Sequence, residues 1–151
     1  MITTSFFVYD RVRDHGCAES PRATVAEVRA DPQATFRDWI DAVGILPKDY
    51  TDEQLVTPGA IIRFRGDIWG LENKKVTVHW SLFDAQSDRA LARNQTRYER
   101  TLTECRDSIK RPIFIAALPG RGRVYAEIVL KHGNDELASG RSGNFMQANV
   151  R

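Results

Sequence analysis

Lys75-Val76-Thr77-Val78-His79-Trp80-Ser81-Leu82-Phe83-Asp84 is the stretch whose pattern decides the fold. Val76, Val78, Trp80 and Leu82 alternate with Thr77, His79, Ser81 and Phe83. A two-residue period puts one set of side chains on each face of an extended strand, and a helix has no use for it. Trp80, third of the four apolar positions, is expected to be a central core residue.

The same period recurs on either side. Ile62 and Phe64 alternate with Arg63 and Arg65, Ile113 and Ile115 lead into Leu118-Pro119, and Val124, Ala126, Ile128 and Leu130 alternate with Tyr125, Glu127, Val129 and Lys131. Gly120-Arg121-Gly122 and Gly133-Asn134-Asp135 are turn signals between them, and a last, Ser- and Gly-rich strand runs from Leu137 to Phe145. One-sided alternation broken by short turns is what two sheets sharing a core require. Residues from about Ala60 to Phe145 are therefore expected to form an antiparallel β-sandwich, making the chain mainly β. Asp84 to Ser108 is open: Ala90-Leu91, Tyr98 and Leu102 fit short strands or a helix.

Ahead of the sandwich the period becomes helical. Phe36, Trp39, Ile40 and Val43 share one helical face, and Gly44 is a stop. Asp31-Pro32 has the chemistry of a helix start, Thr24-x-x-Glu27 and Thr51-x-x-Gln54 have capping-box spacing, and Pro58-Gly59 ends the last piece. The expected helix runs from about Asp31 to Val43, packing Phe36, Ile40 and Val43 on the sandwich and leaving Arg37, Asp38 and Asp41 in water. Phe6-Phe7-Val8-Tyr9 reads as a first strand. Residues 1–58 are thus an N-terminal arm with short helices and 59–151 the sandwich, one structural unit overall.

At 151 residues the chain can bury a core without staples, and its net charge of +2 is too small to argue for nucleic acid. The charge is uneven. Arg89 to Arg123 holds nine basic and three acidic residues, hence +6, and the remainder is −4. Such a segment is first a solvated face or strand edge. No apolar run is long enough to span a bilayer. Cys17 and Cys105 lack metal-ligand spacing; each sits among polar residues, which favours a disulfide over two buried thiols. An extracytoplasmic setting is expected over a cytoplasmic one.

The run Gly70-Leu71 through Lys74-Lys75 to Asp84 resembles strands B to C of an immunoglobulin-like or fibronectin type III-like sandwich, with Trp80 in the place of the strand-C tryptophan. Arg123 to Leu130, then Gly133 and Leu137-Ala138-Ser139-Gly140, resembles the F–G hairpin. No Cys pair flanks Trp80, and Val124 stands where a corner tyrosine is common, so the resemblance is to the architecture. It implies a fold that hosts many functions.

The residues themselves point away from catalysis. His79 is the histidine on the clearest strand, yet no nucleophile motif accompanies it; His15 and Cys17 fall short of a zinc set. Gly120-Arg121-Gly122-Arg123 joins two strands and opens no helix, so it reads as a turn. No catalytic residue, metal or cofactor is expected. The expectation is a non-enzymatic interaction module, protein-binding or an accessory domain of a larger or membrane-associated assembly, its candidate surface formed by Trp69, Arg93, Arg97, Arg100, Arg121 and Arg123. The alternative is a small-ligand binder or enzyme with a site between the helix and the sheet. A weaker alternative is an anionic polymer on the Arg89–Arg123 segment, nucleic acid not being expected.

Overall fold

A computed structural model of the chain describes residues 20–94, 97–120 and 122–148. Phe6 to Tyr9, Cys17 and Arg121 lie outside the described residues. Ten strands and two short α-helices follow one another: β1 (Arg22–Thr35), α1 (Phe36–Val43), a 3-10 turn (Pro47–Asp49), α2 (Asp52–Leu55), β2 (Pro58–Trp69), β3 (Lys75–Asp84), β4 (Ala90–Arg93), β5 (Tyr98–Thr101), β6 (Arg106–Ile109), β7 (Ile113–Ala116), β8 (Arg123–His132), β9 (Asp135–Arg141) and β10 (Phe145–Met146). Every strand pair is antiparallel. The chain is a mainly β sandwich.

Three strand pairs are each one strand interrupted. β6 and β7 both pair with β2, β4 and β5 both pair with β3, and β9 and β10 both pair with β8. One sheet therefore has the order β1, β2, β6/β7, and the other β9/β10, β8, β3, β4/β5. Between them lies the core: Ile62, Phe64 and Ile68 from β2, Val76, Val78 and Leu82 from β3, and Val124, Ala126, Ile128 and Leu130 from β8. These are the inward positions that the alternation picks out. The open region 84–108 resolves into β4, β5 and the start of β6, and the expected last strand is split into β9 and β10.

Several expectations are corrected. Thr24 to Glu27 and Asp31-Pro32 are not helical; they belong to the 14-residue β1. Ala23 and Val25, then Val28 and Ala30, pack on the core on either side of a bulge, where Glu27 takes a left-handed φ of 56°. The extra residue turns a two-residue spacing into three and imitates a helix. Pro32 falls at a second register shift on this edge strand, where its missing N–H is tolerated.

The helix accordingly begins at Phe36. Thr35 is its cap, accepting from the Asp38 N–H at 3.3 Å while the Asp38 carboxylate accepts from the Thr35 N–H at 2.8 Å. Gly44, with φ 79°, ends it, donating to the Ile40 carbonyl. Thr51 and Gln54 form the second capping box. Ile40 is fully buried, Phe36 and Val43 are half-buried, and Arg37, Asp38 and Asp41 are exposed. Ile40, Leu55, Ala34 and Ile61 are buried outside the main core, α1 packing against β1, β2 and β7.

The sandwich is tight along one side and open along the other. β1 and β9 approach so closely that a Cβ on Gly140 would lie 2.8 Å from Val25 Cγ1 and 3.1 Å from the Val25 carbonyl oxygen. The opposite side is bordered by the two interrupted strands β4/β5 and β6/β7.

Candidate functional site

The breaks in these border strands have separate chemical causes. In the first sheet, Ile62 pairs with Ile113 and Gly66 with Ile109, leaving Lys110-Arg111-Pro112 unpaired. Pro112 has no N–H to give a ladder. In the second sheet, Ser81 pairs with Arg93 and Val78 with Tyr98, so the ladder is interrupted opposite His79 and Trp80. Asn94 leaves the ladder there. Its N–H donates to the Trp80 carbonyl at 3.0 Å, and its side-chain oxygen accepts from the Trp80 N–H at 3.1 Å. Both polar backbone groups of Trp80 are thus satisfied by Asn94 alone.

Where the border strands part, a cleft of about 300 Å³ opens between α1 and the two sheets. Trp80 lines it. This corrects the expectation of a central core residue: the indole packs on the core from its rim and is only partly buried, because the strand that would cover it is broken. Phe36 and Trp39 from α1, Tyr98 from β5 and Phe114 from β7 supply four more partly buried rings.

Those rings are fixed by one another. Phe36 stacks on Trp39 with centroids 5.6 Å apart and meets Phe114 edge-on at 5.4 Å and Tyr50 edge-on at 5.0 Å. The Trp39 indole N–H donates to the Pro112 carbonyl at 2.9 Å, tying the helix to the break in β6/β7. Phe114 lies across Gly59, whose missing side chain makes room for it.

The cleft's charges are of one sign. Arg111 and Arg97 line it, and no carboxylate does so among the described residues. The Arg111 guanidinium lies 5.1 Å from the Tyr98 ring centre and 5.7 Å from that of Trp39, a cation–π arrangement. Arg97 is exposed and reaches Glu99 at 3.5 Å.

The other candidate residues do not gather here. Trp69 lies on the outer face of the first sheet, between the guanidiniums of Arg22 at 4.7 Å and Arg106 at 5.5 Å. Arg100 joins the sheets, pairing with Asp107 at 2.9 Å and donating to the Ser108 carbonyl. Partial burial raises the Asp107 pKa, but N–H donors from Thr103 and Ser108 and the Arg100 charge outweigh it and hold the carboxyl below its ordinary value. Arg93 is exposed at the end of β4 and Arg123 at the start of β8. Among the described residues, Arg97 alone of these candidates borders the cleft.

His79 lies on the other face of β3, its Nε2 3.0 Å from Thr77 Oγ1. Burial first, then the charges of Lys131 and Arg97, push its pKa down against opposing effects of Asn94 and Glu99. Among the described residues no group of three or more His, Cys, Asp and Glu side chains is placed to hold a metal ion, and no helix is long and apolar enough to cross a membrane. Sequence reasoning missed Arg111 and Phe114. Their signals were a proline inside a basic segment and a third apolar residue between Ile113 and Ile115, which demands cover on the sheet's outer face.

No family model and no curated protein matches the sequence. Among solved structures, the chain is similar to part of a glycosyl hydrolase family 2 member from Bacteroides cellulosilyticus DSM 14838, with 8% identity and a TM-score of 0.46, over 82% of this chain and 15% of that one. It is also similar to part of a beta-glucuronidase from glycoside hydrolase family 2, with 12% identity and a TM-score of 0.40, over 84% of this chain and 13% of that one. The chain thus spans about one-seventh of these proteins, and the likeness concerns the fold alone.

Proposed function

We propose that the chain is a non-enzymatic binding module built on an immunoglobulin-like sandwich, and that its binding site is the cleft between α1 and the open side of the sandwich. The strand order supports the immunoglobulin-like reading: β3 and β8 pair at the centre of one sheet, with Trp80 on β3 in the strand-C position. The observation that carries the site is the cleft itself, a concave space with five aromatic rings and two guanidiniums held open by two strand breaks. Binding sites combine apolar walls with a few convergent polar groups in this way. The geometry favours a small ligand.

Crystallographic soaking with a library of small fragments tests the reading. Bound fragments are expected to concentrate in this cleft, in contact with Trp39 or Trp80. Fragments spread over the surface, with the cleft empty, would contradict it.

A protein partner is the second reading, favoured by exposed Leu46 and Val56, which flank the 3-10 turn and α2 and are 58% and 67% exposed. Replacing both by Ser is expected to abolish such an association and to leave fragment binding in the cleft intact. The reading also carries a Cys17–Cys105 bridge and an extracytoplasmic setting. Non-reducing peptide mapping that recovers both cysteines as free thiols would rule out the bridge.

A further inference from the structure

Resting on that reading, we infer that the cleft takes a small organic anion: a flat apolar body, one ring in size, carrying a carboxylate. The walls define the body. Trp39, Trp80, Tyr98 and Phe114 present partly buried rings, and a space of about 300 Å³ lies at the small end of ligand sites. Flat rings stack on such walls, whereas a bulky branched body wastes their area.

Arg111 defines the charge. It is half-buried, and no carboxylate pairs with it among the described residues; only the rings of Tyr98 and Trp39 attend it. A guanidinium removed from water without a counter-charge is costly, and its planar fork is shaped for a carboxylate. Arg97 adds a second positive charge at the mouth, shared with the exposed Glu99. A cationic ligand would meet two positive charges and no negative one. The contacts with Tyr98 and Trp39 hold the Arg111 guanidinium at the cleft before any ligand arrives, so less side-chain freedom is lost on binding.

Calorimetric titration of the full chain with 3-phenylpropanoate, and separately with its neutral isostere 3-phenylpropanamide, tests this. The carboxylate is expected to bind about tenfold tighter or more, the usual margin of a hydrogen bond to a charged group. In the Arg111→Gln variant the two affinities are expected to converge to within about twofold. Equal affinities in the parent chain would overturn the anionic assignment, and a carboxylate preference that survives Arg111→Gln would overturn Arg111 as its source; either result leaves the cleft a binding site. Failure of both compounds to bind would overturn both. The parent-chain comparison needs no variant, so poor folding of Arg111→Gln does not spare the inference.

Discussion

Trp39 donates its indole N–H to the carbonyl of Pro112 at 2.9 Å, joining α1 to the break in the border strand. The helix and the proline that interrupts β6/β7 thereby become one wall of the cleft. Trp39→Phe keeps one ring in place and removes the donor together with part of the indole's area. Because the bond is only part-buried and water can replace the indole, the cost is expected to be about 1 kcal/mol in urea unfolding. A loss beyond about 3 kcal/mol would mean that the helix depends on this bond far more than the packing of Ile40 suggests.

Two glycines mark the two sides of the sandwich. A Cβ on Gly59 would lie 2.5 Å from Phe114 Cζ and against the Ile115 carbonyl, and one on Gly140 would crowd Val25 and Val28. Gly59→Ala and Gly140→Ala are each expected to destabilise by about 1–3 kcal/mol, the range for overpacking. Only Gly59→Ala is expected to weaken ligand binding, since it displaces a cleft ring. Equal binding in both variants would separate Phe114 from the site.

Trp80 and Leu82 point inward from the same strand, but Leu82 is 1% exposed and Trp80 is only partly buried. Leu82→Ala is expected to cost about 3 kcal/mol or more, as for a closed core site, and Trp80→Ala about 2 kcal/mol despite removing the larger side chain. Chemical denaturation of the two variants decides the order. The reverse order would place the indole in the core and close the cleft.

How far the sequence could be read depends on whether each pattern stays in phase. β3 and β8 alternate without interruption, and their inward sets appear in the core as expected, apart from Trp80 at its rim. β1 was illegible because the bulge at Glu27 shifts Val28 relative to Val25, and the resulting spacing suits a helix. The capping boxes at Thr51 and at Thr24 look alike in sequence. Only the first has a turn of helix to cap; the second pairs with β2, and that pairing is non-local. The cleft was hidden for a related reason. Trp39 reads as part of a helix's apolar face and Trp80 as a core residue, and nothing local to either reveals that both border strands break beside them. Arg111 sat inside a nine-residue basic count that treated every arginine as equivalent.

His79 gives a pH dependence whose sign follows from its environment. Its pKa in the folded chain lies below the ordinary 6.5, because burial and the charges of Lys131 and Arg97 oppose protonation. Between that lowered value and about 6.5 the unfolded chain binds a proton that the folded chain does not, so stability falls as pH drops through this window. Above it His79 contributes no slope. Urea midpoints measured from pH 7.5 down to 5 are expected to decline less in His79→Gln than in the parent. A steeper decline in the variant would contradict the assignment.

The cleft as the place of binding is tested most directly by the three indole N–H signals in nitrogen-15 NMR spectra. Trp39 and Trp80 line the cleft, whereas Trp69 lies on the outer face of the first sheet between two arginines. Each signal is assigned by single Trp→Phe substitution, and 3-phenylpropanoate is then titrated in. The signals of Trp39 and Trp80 are expected to move together along one saturable curve while that of Trp69 stays in place. Movement of Trp69 alone, or no saturable movement of any of the three, would contradict the site.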